Sequence, residues 1–219
     1  MWLFLYGQQK KYYTNNRNHG THFLSKHYPR TTFSPIESSQ LELVLGWRNQ
    51  DRVRNMMRNS ELISFENHQA WFAGLSEKKN CDYFIFHQDN RPIGVLNFDI
   101  AEPGILEWGC YLGETNVWPG SGLLLEIAAL DYSANYQKQF VDQLKAEVLS
   151  TNPSVLKLRE IFEYQLNAST NIEGSKTESG CLLHDFRYPV SKWQAQRASV
   201  LAKLPKQITE AAKYISFTL

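Results

Sequence analysis

The hydrophobic positions of this chain fall into two rhythms, and each change of rhythm marks an element. Thr31 to Ile36 is a short β-prone run. Leu41, Val44 and Leu45 then share one helical face, behind Ser38 or Ser39 as cap. Ser64 starts a second helix, with Phe65, His68, Phe72 and Leu75 at helical spacing. Asp82 to Phe86 and Ile93 to Ile100 are rich in β-branched and aromatic residues. Asp89-Asn90 between them is turn chemistry, so a hairpin is predicted. Ile105 to Leu112 is a third strand of the same kind. Leu123, Ile127, Leu130 and Ala134 return to helical spacing, and Gln143 to Leu149 alternates with Leu144, Ala146 and Val148 on one face. Pro153 opens another helix, as proline suits a first helical turn. Asn167 to Ile172 and Cys181 to Val190 are expected to pair across the polar loop Glu173 to Gly180, and the tail from Ser191 reads as helical. The order predicts a mixed α/β (α+β) domain over residues 31–190, its sheet largely antiparallel and flanked by helices. A basic extension, 1–30, precedes it and a helical extension, 191–219, follows.

Composition narrows the function classes. The chain has 219 residues, 42% of them hydrophobic, enough for one full core, and a net charge of +1. No global basic field points to nucleic acid. The local exception is the first 30 residues, which hold Lys10, Lys11, Arg17, Lys26 and Arg30 and no acid. That arm either touches RNA or another anionic surface, or is a floppy or packed tail or residues translated from an early start codon, and the second reading is expected. Three scattered cysteines, Cys81, Cys110 and Cys181, form no disulfide framework or zinc motif, and the six histidines show no ligand spacing. No metal is expected. With no signal-peptide core or membrane-length apolar run, a soluble cytoplasmic protein is expected.

The stretch NVWPGSGLLLEIAALDYS, Asn116 to Ser133, carries the first chemistry. It places Gly120-Ser121-Gly122 between a strand and a helix. A helix start offers free N–H groups and a partial positive charge, which suit a phosphate, and glycines let the backbone come close. The loop is no Walker motif, because no Gly-Lys-Ser/Thr follows. Nor is it a dinucleotide fingerprint, since Leu125 stands at the third glycine. On its own it reads as a mere tight turn before it reads as a phosphate site.

With this loop, the element order and Asn152 before the Pro153 helix, the chain resembles the GNAT superfamily of N-acetyltransferases. In that family a Gln/Arg-x-x-Gly-x-Gly/Ala loop binds the pyrophosphate of acetyl-CoA. Gly120 and Gly122 match it, and Val117 departs from it. Asn152, Phe162 and Tyr164 fall on family positions. Glu163 replaces the usual glycine, and Arg159 stands where many members carry a tyrosine that protonates the leaving thiolate. An arginine there can stabilise a thiolate but is a poor proton donor. Upstream, LGWRNQDRVRNMMRNSELISFENHQAWFAGL resembles the sugar-nucleotide subgroup, above all the acetyltransferases of the pseudaminic acid pathway. Trp47, Arg48, Asn49, Val53, Arg54, Met57, Ile63, Ser64, His68 and Trp71 match in order, and RPIGVLNF, Arg91 to Phe98, resembles their third strand.

The resemblance implies an acetyl-CoA-dependent N-acetyltransferase acting by direct transfer on a nucleotide-linked amino sugar. The likeness puts acetyl-CoA on Tyr111, Leu112, Gly113, Pro119, Gly120, Ser121, Gly122, Leu123, Asn152 and Arg159, with a backbone N–H in the Cys110–Leu112 region polarising the thioester. It gives the acceptor to Arg48, Asn49, Met57, His68 and Trp71. Glu107 is the implied base; the other reading is a strand carboxylate that pairs with a cation. Arg48 suits a diphosphate or forms a structural ion pair. His68 and Trp71, with Met56, Met57 and Phe72, are core residues or pocket walls. Cys110 reads as a small buried hydrophobe, and His184 is an alternative base or a packed histidine. Two other functions stay open: an N-terminal acetyltransferase of the ribosomal-protein type, and an acyl-CoA-binding fold member without catalysis. The tail helix caps the core or mediates a homodimer.

Overall fold

The computed structural model describes residues 27–78, 80–136, 140–172 and 181–218. The basic arm up to Lys26 and the loop Glu173 to Gly180 lie outside these residues.

The chain opens with β1 (Thr31–Pro35), α1 (Leu41–Arg48), α2 (Asp51–Arg54) and α3 (Phe65–Leu75). The strands β2 (Cys81–Gln88), β3 (Arg91–Glu102) and β4 (Gly104–Leu112) follow. Then come α4 (Ser121–Ala134), β5 (Val141–Leu149), α5 (Pro153–Ile161), β6 (Gln165–Ile172) and β7 (Cys181–Pro189). The chain closes with α6 (Val190–Lys203), α7 (Lys206–Ala211) and β8 (Ile215–Phe217). All eight strands form one sheet in the order β6-β7-β5-β4-β3-β2-β1-β8. Two pairings are parallel, β4 with β5 and β8 with β1, and the rest are antiparallel.

Local sequence explains much of this. Asp89 and Asn90 both have positive φ, 49° and 66°, as a two-residue hairpin turn requires. Asp89 also accepts the Arg30 N–H at 2.9 Å, so the turn holds the start of β1. Ser64 caps α3 by accepting the Asn67 N–H, and Asn152 caps α5 by accepting the Val155 N–H.

Strand alternation sorts the two faces. One packs Ile85, Val95 and Tyr111 against Val44 and Trp47 of α1. The other packs Phe84, Phe86, Leu96, Phe98, Leu106, Trp108 and Leu144 against α4.

Two expectations need correction, the cap before α1 and the purely helical tail, and two features go beyond the sequence pattern. Gln40 Oε1 accepts the Glu37 N–H at 2.9 Å, so the reciprocal cap forms one residue before Ser38. The one-turn helix α2 was too short to show a periodicity. α4 is buried almost all round, including Leu124, Leu125, Ala128 and Ala129, because the C-terminal helices cover the face turned away from the sheet. The tail is not purely helical: after α7 it ends in β8, whose Phe217 stacks on Phe33 at 4.7 Å.

Glu163 explains the family glycine it replaces. Its φ is +58°, in the left-handed region where a side chain costs about 1–2 kcal/mol. Lys192 and Lys203 of α6 both reach its carboxylate, at 3.1 and 3.3 Å.

Among the described residues no helix is long and apolar enough to cross a membrane, and no three His, Cys, Asp or Glu side chains gather as a metal site.

Candidate active site

The glycine loop forms a turn ahead of α4. Ser121 N–H donates to Trp118 O at 3.0 Å, and Leu124 N–H donates to Gly120 O at 3.1 Å. Among the described residues no carbonyl takes the N–H groups of Gly122 and Leu123. Those amides, at the positive end of a 14-residue helix, fit an anion such as a pyrophosphate.

The glycines differ in what they accommodate. Gly120 has φ +110°, and a Cβ there would lie 2.3 Å from Ile208 Cδ1 and 2.9 Å from the Trp118 ring. Its bare Cα thus makes room for protein, not for a ligand. A Cβ on Gly122 would meet only Leu158 Cδ1 of α5, at 3.9 Å. Gly113 lies under Trp47, whose ring would be 2.0 Å from an added Cβ, and Trp47 Nε1 donates to Glu114 at 2.8 Å.

A second opening lies beside the loop. The β4–β5 ladder runs from Gly104↔Val141 to Trp108↔Ala146 and ends there, although β4 continues to Leu112 and β5 to Leu149. The two strands therefore splay. Gly113 N–H donates to Ile93 O at 2.8 Å. Antiparallel alternation then turns Tyr111 toward β3 and the amides of Cys110 and Leu112 toward the open edge. The Leu112 carbonyl on that edge accepts from Arg52 Nη1 of α2 at 2.9 Å. Burial pushes the Cys110 thiol up to about 12, so it stays protonated near neutrality.

The sheet face under α1 and α3 carries the other predicted groups. Glu107 is half-buried. Lys145 of β5 donates to it at 2.6 Å and also pairs with Glu147 at 3.1 Å. Burial opposes the charge on Lys145, but its hydrogen bonds to Glu107 and Glu147 raise its pKa overall.

Arg48, at the end of α1, donates through Nη2 to Asn59 O at 2.8 Å, while Nη1 is buried without a partner among the described residues. Among the described residues no acid pairs with it. Desolvation lowers its pKa, and neighbouring Tyr111 partly offsets this. On the same face Tyr111 and Tyr83 both pack on the Val44–Trp47 cluster, Tyr83 meets Trp71 edge-on at 5.0 Å, and His68 stacks on Trp71 at 4.9 Å. His68 is buried and, among the described residues, its Nε2 has no hydrogen-bond partner. Asn49 hydrogen-bonds both backbone groups of Ile63, at 2.8 and 3.0 Å, and so ties α1 to the segment before α3. Met57 is half-buried after α2. His184 lies apart on β7, within 2.8 Å of Ser169.

Arg159 is 5% exposed and paired with Glu126 of α4, with its guanidinium 4.7 Å from both the Trp108 and Tyr164 ring centroids. Burial works against its charge, but the attraction of Glu126 outweighs it and raises its pKa. Its charge therefore meets a buried carboxylate inside the core. Sequence reading missed Lys145, Tyr83, Gln88 and Glu126. Lys145, Gln88 and Glu126 each act through a partner at least 33 residues away, and Tyr83 meets Trp71 of α3, on a different element, so no local motif marks these pairs.

His68 and His87 also set a pH response. Burial lowers both pKa values from the ordinary 6.5. The unfolded chain then binds more protons below that value, so stability is present above pH 6.5 and falls as the pH drops through the folded pKa values. The melting temperature should fall between pH 7.5 and 5, and His68→Gln should flatten that slope.

A scan against protein-family models returns no match. Solved structures do match. Spermidine N-acetyltransferase from Vibrio cholerae, in complex with CoA and spermine, aligns at TM-score 0.66 and 15% identity, over 75% of this chain and 98% of that one. Aminoglycoside acetyltransferase AAC(6')-Ib, in complex with coenzyme A, aligns at TM-score 0.62 and 13% identity, over 76% and 99%. The splayed sheet and the helix-start loop define the same class, and the chain belongs to the GNAT family of acetyltransferases. Within it, the chain is related to acetyltransferase PseH of Campylobacter jejuni. Strain 81-176 PseH is 30% identical over 144 residues, 66% of this chain and 85% of that protein, and strain NCTC 11168 PseH is 31% identical over the same shares. The crystal structure of Campylobacter jejuni N-acetyltransferase PseH aligns at TM-score 0.53 and 21% identity, over 74% and 99%.

Proposed function

We propose that the protein transfers an acetyl group from acetyl-CoA to the 4-amino group of a UDP-linked dideoxy amino sugar, in a cytoplasmic route of the pseudaminic acid type that serves surface or flagellar glycans. The observation that carries the acceptor is Arg48: a half-buried guanidinium that, among the described residues, has one nitrogen unpartnered and no acid paired with it, and has Tyr111 as a neighbour. A nucleotide diphosphate completes that site, because paired oxygens match the guanidinium fork. Spermidine and aminoglycosides, named for the structural neighbours, are polycations, and an unpaired arginine repels them. The relationship to PseH supports the same reading.

The residues fit acetyl-CoA, which supplies an acetyl thioester. The Gly122 and Leu123 amides receive the pyrophosphate. The open β4–β5 edge takes the pantetheine arm, and the Cys110 and Leu112 amides face the thioester oxygen as it gains charge. On the opposite face Glu107 accepts the proton of the sugar ammonium, directly or through water, while Lys145 fixes the carboxylate.

The test is thiol release from acetyl-CoA with a panel of UDP-4-amino-dideoxy sugars, spermidine, an aminoglycoside and ribosomal N-terminal peptides. Turnover with one UDP-amino sugar alone supports the reading; turnover confined to a peptide or polyamine overturns it. Arg48→Met should raise the KM of the nucleotide sugar about 10- to 100-fold, the scale of a lost charge-assisted hydrogen bond, and leave the KM of acetyl-CoA unchanged. Glu107→Gln should slow turnover most at low pH, where the amine carries its proton. A pH profile superimposable on that of the native enzyme would remove Glu107 as base.

A further inference from the structure

The cofactor turn is held in place from outside its own motif. Gln88, the last residue of β2, is 7% exposed, and its Oε1 accepts from the Trp118 N–H at 3.3 Å and from Ser121 Oγ at 3.1 Å. Ser121 Oγ has one proton, shared with Trp118 O at 2.7 Å. One amide thus ties the first residue of the turn to the first residue of α4. Among the described residues its Nε2 is buried with no partner, and the side-chain hydrogen bonds it makes there go to the turn.

The second brace is Ile208 of α7, 2% exposed, whose Cδ1 fills the space over Gly120. The element that carries it is fastened on both sides. Before it, α6 is tied to α4 by Trp193 Nε1 and Arg197, which reach Asp131 at 2.9 and 2.6 Å. Thr209 Oγ1 of α7 donates to Leu201 O at 2.8 Å. After it, β8 pairs with β1, and Thr218 N–H donates to Phe33 O at 2.8 Å. The C-terminal segment therefore grips α4 near its end through Asp131 and at its start through Gly120.

We infer that Gln88 and the C-terminal segment, through Ile208, are positioning elements for acetyl-CoA: they hold the Trp118–Ser121 turn so that the Gly122 and Leu123 amides face the pyrophosphate. The inference rests on the reading of this loop as the cofactor cradle. The motif needs such support because Val117 supplies no donor side chain to the phosphates, so affinity rests on backbone amides whose geometry must be set beforehand. Neither side chain is among the amides read as facing the pyrophosphate.

The test is isothermal titration of CoA into the full chain and into Gln88→Met, Ile208→Ala, Ile208→Leu and Val200→Ala. Val200 is a buried residue of α6 outside the turn, so its truncation loosens the same segment without touching the loop. Gln88→Met and Ile208→Ala should weaken CoA about tenfold, the scale of one lost hydrogen bond or contact, while Ile208→Leu and Val200→Ala keep near-native affinity. Native affinity in folded Gln88→Met and Ile208→Ala overturns the inference. So does an equal loss in Val200→Ala, which makes the effect general loosening. If Ile208→Ala does not fold, Gln88→Met and Ile208→Leu decide. No CoA binding by the native chain overturns the cofactor reading itself, and this inference with it.

Discussion

Gly120→Val should destabilise the protein by about 3–5 kcal/mol and abolish CoA binding at the same time. The sequence gives one reason, that a side chain blocks the approach of a phosphate. The structure gives another. The residue sits at φ +110°, where a β-branched side chain is strained, and its Cβ would lie 2.3 Å from Ile208 Cδ1. Loss of binding in Gly120→Val therefore says little about a cradle. Two further variants separate the causes. Gly120→Ala combined with Ile208→Ala should be less damaging than the sum of the single changes, because the second removes the group the first collides with. Gly122→Ala, which has 3.9 Å of clearance to Leu158, should keep the denaturation midpoint and lose CoA affinity.

Glu126→Leu should cost about 3–5 kcal/mol, because it leaves the Arg159 guanidinium buried and unpaired between two aromatic rings. Arg159→Met should cost a similar amount by stranding the carboxylate. The double variant, Glu126→Leu with Arg159→Met, should recover most of the loss, since apolar replacement of a buried ion pair is close to neutral. Chemical denaturation of the four proteins measures this coupling. The same set asks whether Arg159 assists the leaving thiolate. The enclosed pair predicts that the double variant, once folded, turns over at close to the native rate.

These two sites show what the sequence could carry. The Asp89-Asn90 turn, the cap at Ser64, Pro153 at a helix start and the glycines before α4 are local devices. Each has a signature within four residues, and each lies where the pattern placed it. The fold class followed from the same signals. The partners that define the site are different. Glu126 and Arg159 are 33 positions apart, Lys145 and Glu107 are 38 apart, and Gln88 meets Ser121 across 33. A glutamate in an apolar helix reads as a break in the pattern until its arginine is in view. Ile208 reads as one more apolar residue in a helical tail, and only the fold brings it over Gly120. The end of the β4–β5 ladder after Trp108 has no marker either, because both strands keep alternating past the point where they part.

As proposed, the turn before α4 holds acetyl-CoA and Arg48 anchors an anionic nucleotide sugar. One titration tests both: acetyl-CoA into the native protein by isothermal calorimetry, then UDP-amino sugars into the same cell with thiol release followed in parallel. Saturable binding of acetyl-CoA is expected, then a second binding event with thiol release for one UDP-4-amino sugar. Absence of acetyl-CoA binding would contradict the proposal at the loop. Acetyl-CoA binding followed by thiol release only with a cationic acceptor would contradict it at Arg48.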